Sequence, residues 1–94
     1  MDAEREGRAF LVPVSATPSG TLALRTGRLA TGERIGLAFT CEQSLREVLG
    51  PWQQWTHLSE RALHALLAPV GVAGVRIDPH PAAGGPGGEW RPAA

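Results

Sequence analysis

The chain has 94 residues, 43% of them hydrophobic, which is room for one small domain with a packed core. Nine basic residues balance nine acidic ones, so the basic excess that gives proteins affinity for nucleic acid is absent. A single cysteine excludes an internal disulfide, and the longest weakly polar run, LLAPVGVAGV, is too short and too broken by Pro69 and two glycines to span a bilayer.

In chain order, residues 1 to 8 are charged, lack the apolar stretch of a signal peptide and read as a disordered N-terminus. A cytoplasmic protein is the expectation. AFLVPVS then reads as a strand. Pro13 has no backbone donor, so this strand is expected at a sheet edge, or to end near there. TPSG is a turn. TLALRTGRLATGERIGLAF shows period-two alternation and reads as two strands and a turn. Gly27 and Gly32 both offer turn sites; the turn is placed at Ala30 to Glu33, with Gly27 as a bulge.

TCEQSLREVLGP carries a helix signature. Thr40 as cap and Gln43 three residues on form a capping box. Cys41, Leu45, Val48 and Leu49 fall on one face, which makes Cys41 a small buried hydrophobe. Glu42 and Arg46 are spaced to pair, and Gly50 with Pro51 stops the helix. WTHLS reads as a short connecting edge strand, with Trp55 facing one side and Leu58 the other; Gln53 and Gln54 turn in water. A second helix, capped by Ser59, runs to about Ala68 with Ala62, Leu63, Leu66 and Leu67 as its buried stripe. GVAGVRIDP is a last strand. Residues 80 to 94 hold three prolines and four glycines and read as a flexible tail that includes Trp90.

The expected fold is therefore α+β: a small, mainly antiparallel sheet of three to five strands with two helices packed on one face. The order of elements, with Gly36, Phe39, Thr40, Leu45, Leu49, Gly50, Trp55, Leu58, Leu63, Leu67, Pro69, Gly71, Asp78 and Pro79 at its landmarks, resembles the SseB-like N-terminal domain family in the small stand-alone form of high-GC bacteria. The resemblance covers residues 9 to 79. It implies this fold and assigns no chemistry, because the shared positions are packing, cap and turn residues.

Catalytic patterns are sparse. No phosphate-binding loop, nucleophile elbow or paired carboxylates occur. Cys41, His57, His64 and His80 lack metal-site spacing, so neither metal nor cofactor is expected. If the protein is an enzyme, Cys41, His57 and Arg25 are the residues to carry it. As a binding module it would use Trp52, Trp55, Arg25, Arg28 and Arg34, since tryptophan and arginine dominate binding hot spots. The first reading is a non-enzymatic interaction or accessory module, acting as a homodimer and binding a protein or peptide, with no nucleic acid and no membrane as partner. The alternative is a small natural-product biosynthetic enzyme or ligand-binding protein. Its apolar pocket would lie between sheet and helices, with His57, Arg25 or Cys41 at the mouth.

Overall fold

The computed structural model describes residues 9–79 and 90–93. The fold is α+β. Its strands are β1 (Ala9–Ala16), β2 (Leu22–Leu24), β3 (Thr26–Leu29), β4 (Arg34–Ala38), β5 (Gln54–Ser59), β6 (Val75–Ile77) and β7 (Trp90–Pro92). Its helices are α1 (Glu42–Leu49) and α2 (Glu60–Leu67), the latter running into a 3-10 turn at Ala68–Val70.

The strands form two sheets, in the orders β2-β1-β5 and β6-β4-β3-β7. All pairings are antiparallel except β4 with β6. The sheets are stitched where Leu11 and Phe39 exchange both backbone hydrogen bonds, at 2.8 and 2.9 Å. The strand expected over TLALRTGRL is broken at Arg25: β2 pairs with β1, and β3 pairs with β4.

β1 is a central strand, and its apolar run is buried on both sides. Leu11 joins Ile35, Leu37, Phe39, Leu45 and Trp90 in one cluster; Phe10 and Val12 join Ala38, Leu63 and Leu67 in the other. The helices thus serve opposite faces, α1 through Leu45 and α2 through Leu63 and Leu67, in place of the single face expected. The reason is the period of two: successive residues of β1 point opposite ways and each set needs its own cover. Full burial of such side chains contributes about 1.5–3 kcal/mol each.

Pro13 does not mark an edge. It lies in the gap between the Leu11–Phe39 bridge and the ladder with β2, which starts at Val14. The Pro13 carbonyl accepts from Arg25 N–H at 2.8 Å, so at the start of that ladder proline forgoes only the return bond.

The turn at Ala30 to Glu33 stands where expected, closed by Leu29 N–H to the Glu33 carbonyl and Gly32 N–H to the Leu29 carbonyl, at 2.8 and 2.9 Å. Gly27 is no bulge. It pairs in regular register with Ile35, and a Cβ there would come within 2.8 Å of the Trp90 indole. That indole belongs to β7, which pairs with β3 through Leu29↔Trp90, Arg28↔Arg91 and Gly27↔Pro92. The C-terminal segment is therefore partly built into the fold. Trp90 is 1% exposed, and apolar burial outweighs the proline and glycine content around it. The rest of the tail, 80 to 89 and 94, and the N-terminal stretch 1 to 8 lie outside the described residues.

Candidate functional site

β5 forms an edge of its sheet. Its inner side is paired with β1 over Ala9↔Ser59 to Val14↔Gln54. Leu11 spends both its backbone groups on Phe39, so the Leu11↔His57 pair is a non-bonded one. In an antiparallel ladder bonded and non-bonded pairs alternate. The N–H and C=O of His57, and likewise of Trp55 opposite Pro13, therefore point outward, and no backbone group among the described residues takes them.

The turn before β5 is anchored by Gln53. Its amide donates to the Val14 carbonyl at 2.9 Å and to the Gln54 carbonyl at 2.8 Å, and its oxygen accepts from Arg25 Nη1. Gln53 is thus half-buried in a network, where the sequence suggests a residue turning in water. The reason is the break at Arg25, which brings that guanidinium to the β1–β5 end. Trp52, just ahead of this anchor, is 92% exposed. Trp55 is half-buried on the cluster around Leu11, and its ring meets that of His57 edge-on at 5.0 Å and 81°. Trp52, Trp55, His57 and Arg25 therefore line one end and edge of the β5 sheet.

Arg28 and Arg34 do not join them. They face each other across the β3–β4 hairpin, in one row with Arg91. Arg91 is missed by the sequence reading, because nothing local shows that the tail returns beside β3.

Cys41 is displaced from its expected role too. It is exposed and occupies the N-cap of α1 without a side-chain capping hydrogen bond. Thr40, the expected cap, instead gives its N–H and hydroxyl to the Asp78 carboxylate at 2.9 and 2.7 Å. Gln43 reaches forward to Glu47, not back to a cap. A carboxylate that accepts two hydrogen bonds outcompetes a local capping box. It holds Asp78 at a φ of +50°, and its own N–H bonds the Ala38 carbonyl at 2.8 Å. The Ser44 hydroxyl, 3.2 Å from the Cys41 sulfur, holds that thiol below its ordinary pKa; the nearby backbone amides of Ser44 and Gln43 add to this, and Asp78 works against it.

Elsewhere the local readings stand. Ser59 caps α2 by accepting from Ala62 N–H at 3.1 Å, Glu42 pairs with Arg46 at 2.9 Å, and Gly50 ends α1 at a φ of +100° that suits glycine. Leu66 departs from its expected stripe and is 53% exposed.

The three residues named for catalysis each have a different neighbour: Ser44 for Cys41, Trp55 for His57, Gln53 for Arg25. No hydrogen bond joins any two of them. A groove of about 430 Å³ lies between the β2–β3–β4 region and the end of α2, and none of the three lines it. Among the described residues no three of His, Cys, Asp and Glu gather as metal ligands, and no helix is long and apolar enough to cross a membrane. No protein-family model, no curated protein and no solved structure matches the chain.

Proposed function

We propose that this chain is a non-enzymatic protein-interaction module that works as a homodimer in the cytoplasm, with β5 as its binding edge and Trp52 as the anchor beside it. The observation that carries this is the outward backbone row at Trp55 and His57, unpaired among the described residues, next to a tryptophan that is 92% exposed. An open edge is a template for a further strand, and strand addition draws its affinity from main-chain hydrogen bonds and its specificity from flanking side chains. The scattered positions of Cys41, His57 and Arg25 weigh against catalysis by that trio. Kinship with the SseB-like N-terminal domain family belongs to the same proposal. The hydrogen bonds between Thr40 and Asp78, two of the landmarks it rests on, give those positions a shared structural job.

Sedimentation of the full chain across a concentration series tests it. His57→Pro removes an outward N–H, which an edge strand tolerates, together with the imidazole that meets Trp55; His57→Ala, which removes the ring and keeps the N–H, is the control. The wild-type chain is expected to sediment as a dimer and His57→Pro as a monomer with an unchanged circular dichroism spectrum. A wild-type chain that stays monomeric, or a folded His57→Pro chain that still dimerises, would remove β5 as the self-pairing edge.

A further inference from the structure

The register of the second sheet sets Arg34, Arg28 and Arg91 directly opposite one another across β4, β3 and β7. Residues opposite one another share a face, so three guanidinium stems stand side by side, all exposed. Among the described residues no carboxylate pairs with any of them; the pairs Glu42–Arg46 and Glu60–His64 lie elsewhere. Arg28 donates to the Gly32 carbonyl at 2.8 Å. Like charges opposite one another destabilise a sheet. A local rule broken with no compensating carboxylate among the described residues points to function.

The same face carries the groove. Thr26 and Arg34 line it from the sheet, each two residues from a member of a cross-strand pair on that face, Arg28 and Gly36. Its apolar wall is Leu22, Leu24, Leu66, Leu67 and Val70. Leu22, Leu66 and Val70 are left 62%, 53% and 43% exposed. The groove volume, about 430 Å³, lies within the range of small-ligand sites.

We infer that this groove binds an anionic single-chain amphiphile. The apolar chain lies along Leu22, Leu66 and Val70, and the carboxylate or phosphate head sits on the Arg34–Arg28–Arg91 row. An apolar wall alone would suit any greasy partner, and a cationic row alone would suit any anion. Their meeting at Arg34, which belongs to both, selects a molecule with both parts. Arginine offers planar, two-pronged contacts to either head group. A second copy of the chain docking through this face would bring arginine row near arginine row, which charge complementarity disfavours.

Isothermal titration of the full chain with decanoate, decyl phosphate, decanol and acetate, below micelle-forming concentrations, tests the inference. Decanoate or decyl phosphate is expected to bind at least about tenfold more tightly than decanol, as one charge-assisted contact implies, with no measurable heat from acetate. The stronger of the two anions identifies the head group. Arg28→Gln combined with Arg34→Gln is expected to weaken that binding about tenfold or more, and Leu66→Ser to weaken it while leaving circular dichroism unchanged. Failure of both anions to bind, equal affinity for decanol, or full affinity in the double arginine variant would overturn it. So would loss of a dimer in ligand-free Leu66→Ser, because a second copy would then be the occupant. Because β5 is remote in pairing from this row, the His57→Pro chain is expected to bind the anion normally.

Discussion

Trp52 and Trp90 divide the molecule into two kinds of surface. Trp52 rides on the turn between α1 and β5, 92% exposed and next to Gln53, which anchors that turn to Val14. Trp90 is 1% exposed in the cluster with Leu11, Ile35 and Leu37, seated over the bare backbone of Gly27. The tryptophan between two helices is the free one, and the tryptophan in a stretch of prolines and glycines is the packed one. Local composition says how readily a segment orders itself. It does not say whether a distant glycine has left a seat for it.

The largest effect should come from removing that seat's occupant. Trp90→Ala is expected to destabilise the chain by about 3–5 kcal/mol, read as a loss in the denaturation midpoint. In a domain this small that corresponds to a fall of more than about 10 °C in Tm. A change below about 1 kcal/mol would mean that β7 adds nothing to the core. Trp90→Phe should be far milder, since the indole Nε1–H is buried without a hydrogen-bond partner among the described residues and phenylalanine removes that orphan.

Gly27→Val comes next, with an expected loss of about 1–3 kcal/mol from overpacking against Trp90, Ile35 and Leu37. Combining it with Trp90→Ala should cost less than the sum, because the two residues compete for one volume. Strict additivity in a double-mutant cycle would break the link between glycine and indole. Asp78→Ala removes two hydrogen bonds to Thr40 at an exposed site, and a loss of about 1 kcal/mol by chemical denaturation is expected.

The smallest stability effect belongs to the other tryptophan. Trp52→Ala should stay within about 0.5 kcal/mol of wild type while weakening self-association in the sedimentation series. A loss above roughly 3 kcal/mol would place it in a core instead. Cys41 gives a signal that stability does not. Its alkylation rate should rise with pH at a lower midpoint than an ordinary cysteine shows, because the Ser44 hydroxyl favours the thiolate. In Ser44→Ala the midpoint should move up, and an unmoved midpoint would remove Ser44 as the cause.

How much of this was legible beforehand differs from residue to residue. The Ser59 cap, the Gly50 stop, the Glu42–Arg46 pair, the turn at Ala30 to Glu33 and the alternation in WTHLS could all be read directly. Each depends on partners within a turn or two of the chain, where spacing and residue type decide the outcome. Trp52 and Trp55 could be singled out as candidates, and so could Arg25, but not the Gln53 network that ties Arg25 to the edge. An apolar pocket between sheet and helices stood only as an alternative expectation, with His57, Arg25 or Cys41 at its mouth, and the lining of the groove with its arginine row was not legible. Arg28 and Arg34 are near neighbours in the hairpin, yet Arg91 reaches them only through β7, and Leu66 and Val70 only through the placement of α2.

The sequence by itself determined the α+β class, the existence of both helices, the turns between strands and the short strand of WTHLS before the second helix. Tertiary structure alone decided that β1 is central, that the helices cover opposite faces and that Pro13 falls in a gap between ladders. It also decided that Thr40 serves Asp78, 38 residues away, and that Gly27 makes room for Trp90. The physical reason is range. Caps, stops and alternation are settled by steric and hydrogen-bonding choices among neighbours, whereas burial and register are settled by which distant surfaces fit together and exclude water.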